Sequence, residues 1–217
     1  CTQGVFMNNL LNELEALKNN LDNLPVENIS SLQLNKTDLF IVDINNGFAK
    51  GGALYSPRIE SLINPITEFS KELSPKLHRI IAFTDCHPKD SIEFLSYPPH
   101  CLEGDAESDI VDELKTIENL KVLPKNSTNG FFALGNMNFD DVDNIIVIGD
   151  CTDICIYQFA VTLKTYFIQN NINKNVIVPM NLVDTYDIPN VHCADLSNIV
   201  FLNSMIQNGI NVIKSFS

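Results

Sequence analysis

Two hydrophobic rhythms alternate along the chain. From residue 38 onward, short apolar runs recur between longer stretches of helical period. The runs are DLFIVD (38–43), RIIAFTD (79–85), NLKVLPK (119–125), NIIVIGD (144–150), NVIVP (175–179) and NVIK (211–214). Apolar strands alternating with helices predict a parallel sheet covered on both faces. Helices are expected near 57–73, 107–118, 153–169 and 195–208. The expected architecture is a three-layer α/β/α fold with a mainly parallel sheet of about six strands and right-handed crossovers.

Residues 7–24 follow a different pattern. Leu10, Leu14, Leu17, Leu21 and Leu24 recur at helical spacing, and Pro25 follows. A stripe of this length predicts a docking helix, with contact between copies in a homo-oligomer as the minority reading. The chain therefore divides into an N-terminal helical extension (1–36) and one α/β domain (37–217). Met7 is read as the natural start, which would make residues 1–6, CTQGVF, an appended remnant.

Composition narrows the function. The 217 residues are 45% hydrophobic, enough for one sizeable core, and the net charge is −13. So acidic a surface repels phosphate backbones and anionic lipids, which argues against nucleic-acid and membrane partners. No apolar stretch approaches the about 20 residues that span a bilayer, and no signal-peptide pattern is visible. The six cysteines lack a regular disulfide spacing. Reduced thiols in a cytoplasmic protein are the expectation.

In open parallel sheets, ligands bind at the carboxyl ends of the strands. Those ends carry the chemistry here. The first strand ends in Asp43, the second in Asp85 with His87 beyond, the third in Lys125, and the fourth leads through Asp150 and Cys151 to Cys155. Thr152 is a candidate N-cap that would place Cys155 in the first helical turn, where the dipole favours thiolate. A lone cysteine would more often be a buried small hydrophobe. The acid and lysine at neighbouring strand ends tip the reading toward a nucleophile. Asp43 can cap a loop or take the thiol proton. Lys125 can be a surface lysine or a fixed cation between carboxylate and thiolate.

A second constellation lies in TDCHPKDSIEFLSYPPHC (84–101). In an extended segment Asp85 and His87 point to the same side, and His100 follows after a Pro-stiffened loop. This set suits a divalent ion such as zinc, iron or manganese, with Glu93 available as a fourth ligand. Ordinary polar loop residues are the bland alternative.

Four segments, in order, make the chain resemble the isochorismatase-like cysteine hydrolases, and within them the nicotinamidase/pyrazinamidase group. They are IVDINNGF, DCH followed by PPHC, PKNSTNGF, and GDCTDICI, which fits G-x-x-T-D-x-C. The resemblance covers most of 38–214. It implies a triad of Asp43 as proton shuttle, Lys125 as electrostatic partner and Cys155 as nucleophile. It implies an oxyanion hole from the backbone N–H groups of Cys151 and Cys155, beside a cis peptide at Asp150–Cys151. It implies one metal ion, zinc first, on Asp85, His87 and His100, with Glu93 a looser match. Phe48 and Tyr97 fall at positions that flank the substrate ring. The implied reaction is nicotinamide plus water to nicotinate and ammonia through a thioester, as in the salvage of NAD. DIN stands where the family often has D-x-Q. Rival readings are a family hydrolase for another small amide, a ureido acid or isochorismate, and a non-enzymatic metal-binding protein on this fold.

Overall fold

The computed structural model describes residues 2–217. Of the proposed remnant, Cys1 lies outside the described residues, and the rest runs into the first helix. That helix, α1 (Thr2–Asp22), is followed by a two-residue strand, β1 (Val26–Glu27). The main unit then runs β2 (Thr37–Val42), α2 (Asn46–Ala49), α3 (Pro57–Leu73) and β3 (Arg79–Asp85). Next come α4 (Asp112–Lys115), β4 (Leu120–Lys125), β5 (Asn144–Asp150) and α5 (Tyr157–Gln169). The chain closes with β6 (Asn175–Pro179), β7 (Val183–Asp184), α6 (Ala194–Gln207), β8 (Asn211–Ile213) and β9 (Ser215–Phe216).

The principal sheet has the order β4-β3-β2-β5-β6-β8, with β7 pairing with the end of β5. Every pairing in it is parallel. All six residues of β2 are buried, because helices cover both faces of the sheet. Alternate side chains feed two cores. Phe40, Val42, Phe83 and Val147 pack with Phe159 and Leu163 of α5 on one face. Leu39, Ile41, Ile146 and Ile148 pack with Ile59, Leu62, Ile63 and Ile66 of α3 on the other. Phe40, Phe83 and Phe159 form a ring cluster with centroids 5.0–5.5 Å apart. Large rings contribute most to such a core, at about 25 cal/mol per Å² of apolar area buried.

Strand order fixes where a ligand binds. From β2 the chain winds outward through β3 and β4, then returns to the other side of β2 to start β5. The switch point therefore lies between β2 and β5, and the crevice there opens at their carboxyl ends. Gly149 makes the close approach feasible. Its φ is +120°, and a Cβ there would overlap the Val42 backbone.

Two predicted helices differ from expectation. The segment near 107–118 is a single turn at Ala106–Ser108 followed by the short α4. Between them the backbone is extended, because Asn46 N–H bonds the Asp109 carbonyl at 2.9 Å and Val111 N–H bonds the Ile44 carbonyl at 3.1 Å. These tertiary bonds outcompete a local helix. The expected helix from 153 begins as a π-helical turn, Thr152–Ile156, before α5. Its cap position is Cys151, not Thr152, and the Ile156 N–H reaches the Cys151 carbonyl at 3.1 Å. Such wide turns recur at functional sites.

The leucine stripe of α1 docks progressively. Leu10 is exposed, Leu14 and Leu17 are half-buried, and Leu21 is buried. The partner is α6, whose Asn203 donates to the Leu17 carbonyl at 3.2 Å. The extension is also stitched to the far end of the chain by β1–β9 pairing.

Candidate active site

Three strands deliver the ionisable groups. Asp43 follows β2 with φ +56°, a left-handed conformation that aspartate tolerates better than most residues. Register places Asp85, the last residue of β3, directly beside Lys125, the last residue of β4. Lys125 Nζ lies 2.8 Å from Asp43 Oδ2 and also contacts Asp85 Oδ1. The lysine thus bridges two buried carboxylates. The sequence expectation put it between Asp43 and the thiol. Cys155, in the π-helical turn, is buried and borders the same cavity as Asp43 and Asp85.

Burial dominates the electrostatics. It raises Asp43, against the pull of Lys125 and with a push from Asp85, to a pKa of about 7. Burial also raises Asp85, but Lys125, His100 and His87 together outweigh it and hold that carboxyl well below the usual range. Burial alone would lower Lys125, yet Asp43 and Asp85 keep it firmly charged. For Cys155, burial pushes the thiol well above its ordinary value, Lys125 pulls back, and Asp43 and Asp85 push it further up. Burial and the two carboxylates thus oppose the thiolate that the helix start was expected to favour. A thiol that shares a cavity with a carboxylate raised to about 7 can exchange a proton with it near neutrality.

Asp85 is shared with a second cluster. Its Oδ2 lies 3.4 Å from His87 Nε2 and 3.5 Å from His100 Nε2, and Glu93 Oε1 is 3.9 Å from His87 Nε2. One ligand atom from each of the four residues lies within 4.8 Å of every other. The outer nitrogens fix the tautomers. His100 Nδ1 donates to the Pro98 carbonyl at 2.8 Å, and His87 Nδ1 donates to Asn126 Oδ1 at 2.8 Å. Both Nε2 atoms therefore face inward, and His87 Nε2 is a buried atom without a hydrogen-bond partner. Two imidazoles and two carboxylates converging in this way fit a divalent cation.

Asn126 is a residue that sequence reasoning missed. It adjoins Lys125, and it also accepts from Ser91 Oγ at 2.9 Å. Replacing Asn126 with alanine is expected to weaken metal binding about 10–100-fold by freeing the His87 ring. Titration against a competing chelator checks this, with thermal melting of the metal-free variant as the control for folding. Asn45, of the DIN segment, was likewise unassigned. It is buried and donates to the Asp85 carbonyl at 3.1 Å, so it holds the end of β3.

The cavity has a volume of about 370 Å³ and is lined by Asp43, Phe48, Tyr97 and Cys155 among others. Phe48 and Tyr97 lie against the metal-type cluster, with ring centroids 5.6 and 6.3 Å from that of His100. The Asp150–Cys151 peptide is cis.

This arrangement has known relatives. Residues 37–212 match the isochorismatase domain. The chain belongs to the isochorismatase family. Nicotinamidase 1 of Arabidopsis thaliana is 28% identical over 193 residues, covering 76% of this chain and 78% of that protein. The nicotinamidase/pyrazinamidase of Mycobacterium tuberculosis is 28% identical over 141 residues, covering 56% of this chain and 75% of its own. Among solved structures, PnC1 from L. infantum in complex with nicotinate aligns with TM-score 0.69 and 21% identity, covering 88% of this chain and 96% of that one. The Pyrococcus horikoshii pyrazinamidase in complex with zinc aligns with TM-score 0.64 and 21% identity, covering 82% and 98%. The structural matches share the α/β architecture with its mainly parallel sheet, the fold of isochorismatase-like hydrolases.

Proposed function

We propose that this chain is a metal-dependent nicotinamidase that converts nicotinamide and water to nicotinate and ammonia. One observation carries the reading. Lys125 ties the Asp43 carboxylate to the Asp85–histidine cluster, and Cys155 shares their cavity. The nicotinamidase names of the 28% identical relatives support the same substrate.

In this mechanism Asp43 takes the Cys155 proton as the sulfur attacks the carboxamide carbon. Backbone N–H groups of Cys151 and Cys155 hold the developing oxyanion. Asp43 returns the proton to departing ammonia, leaving a thioester on Cys155. Asp43 then deprotonates water, which attacks the thioester carbon; the Cys155 sulfur leaves and takes that proton back from Asp43 as nicotinate is released. Lys125 keeps its charge throughout and steadies Asp43 between its two states. Asp85, His87, Glu93 and His100 would hold a divalent ion, zinc first, with iron or manganese as alternatives. When bound, that ion supplies a Lewis-acidic anchor for the pyridine nitrogen. Phe48 and Tyr97 would flank the ring. Residues 37–217 would carry the activity and residues 1–36 the extension. No helix among the described residues is long and apolar enough to cross a membrane. The same reading carries the expected cytoplasmic setting, based on the cysteine pattern, and a place in pyridine nucleotide salvage.

A substrate panel tests the assignment. Nicotinamide and pyrazinamide should release ammonia much faster than an N-carbamoyl amino acid or an aliphatic amide. Preference for the ureido compound would move the chain to another branch of the family.

A further inference from the structure

The chain leaves the central sheet through β7, whose residues pair with the last two of β5: Gly149 with Val183, and Asp150 with Asp184. The segment beyond β7 therefore starts beside the nucleophile turn. It is held there at several points. Asp184 Oδ1 accepts from Arg58 Nη2 at 2.9 Å, Asn198 Nδ2 at 2.8 Å and the Thr185 N–H at 2.8 Å. Asp153, two residues before Cys155, accepts from the Thr185 hydroxyl at 2.6 Å and lies 2.7 Å from His192 Nε2. His192 Nδ1 lies 2.7 Å from the Tyr186 carbonyl. The rings of Tyr186 and His192 stack, with centroids 3.9 Å apart and an interplanar angle of 18°.

Tyr186 also lines the catalytic cavity. It is half-buried, and His192 stacks on one face of its ring. Across the strand ends, the cavity is lined by Asp85 and His100, by Asp43 after β2, by Cys155 after β5 and by Tyr186 after β7. Phe48 and Tyr97 lie against His100, whereas Tyr186 joins the lining from the segment after β7. A ring braced in this way is ordered before ligand arrives, so little conformational freedom is lost on binding.

We propose that Tyr186 is a specificity-determining wall of this site, selecting flat aromatic amides, and that Asp153 and His192 hold it in place. The proposal rests on the nicotinamidase reading for its substrate and extends it to residues outside the triad, the metal cluster and the predicted ring contacts. An aromatic contact of this kind contributes about 0.5–1.5 kcal/mol, or roughly 2–13-fold in affinity.

Nicotinate binding by calorimetry tests it, on the chain supplemented with zinc. Tyr186→Ala should weaken binding by up to about tenfold, and Tyr186→Phe should restore it to within about twofold. His192→Ala alone should weaken binding, yet add nothing once Tyr186 is already alanine, because it acts only through that ring. A Tyr186→Ala affinity equal to that of the unaltered chain would overturn the proposal. So would equal losses in the Ala and Phe variants, additive losses in the double variant, or no nicotinate binding by the unaltered chain. Ammonia release measured in parallel keeps the two ideas apart. Turnover with unchanged binding in Tyr186→Ala removes the wall but not the enzyme, and the converse removes the enzyme assignment but not the wall.

Discussion

Cys155→Ala should abolish ammonia release from nicotinamide, lowering the rate by about 10⁴-fold or more, while the protein stays folded. The expectation follows from the thiol being the only side chain in the mechanism that bonds to the substrate carbon. Asp43, Lys125 and the turn's backbone N–H groups survive the change, so the residual rate measures what positioning achieves without a nucleophile. The structural cost is small. Cys155 is buried, and losing one sulfur leaves a void of less than a methylene pair, which costs about 1 kcal/mol. Thermal melting should therefore shift by only a few degrees. Cys151→Ala is the contrast. Its backbone N–H is the proposed contributor, so substantial activity should remain. Normal turnover by Cys155→Ala would remove the thioester mechanism.

Lys125→Met should damage both stability and rate. The lysine is the cation shared by Asp43 and Asp85, all three buried. Breaking a buried ion cluster by removing one partner typically costs about 3–5 kcal/mol. The sign with pH can be worked out. Asp85 has a folded pKa held below its ordinary value, so its contribution is present above that value and is lost as pH falls. Asp43 has a folded pKa raised to about 7, so it already favours the protonated form when folded, and losing Lys125 raises it further. Both changes penalise the variant most where the carboxylates would be charged. Urea unfolding of the metal-free proteins should show a larger deficit at pH 8 than at pH 5. An equal deficit at both pH values would show that lost packing, not lost charge, is the cause. The rate should fall about 10²-fold or more, because Asp43 can no longer cycle its proton near neutrality.

Strands were the most legible part of the fold. β2, β3 and β5 are buried on both faces, so burial wrote them into the chain as unbroken apolar runs. The two-residue strands β1, β7 and β9 carry too few residues to show a period, and only long-range pairing creates them. The segment near 107–118 has helical composition but loses most of its helix to backbone bonds from residues 44 and 46.

The candidate site shows the same division. Asp43, Asp85, Lys125 and Cys155 could be nominated because strand ends are visible in a sequence. Which of them touch depends on register, and only the β3–β4 alignment sets Lys125 beside Asp85. The expected thiolate at Cys155 came from local helix geometry, whereas burial and the distant Asp43 and Asp85 carboxylates push the thiol upward. Asn126 sits in the quoted PKNSTNGF segment without a role assigned to it, and Tyr186 lies outside every quoted segment. Their positions become meaningful only once His87 and Asp153 are seen in space.

The most direct test of the central claim is the product balance from nicotinamide after the chain is stripped with a chelator and then resupplied with zinc. The account predicts nicotinate and ammonia in equal amounts from the zinc-loaded chain and a loss of both from the stripped one. No nicotinate from the loaded chain would contradict it.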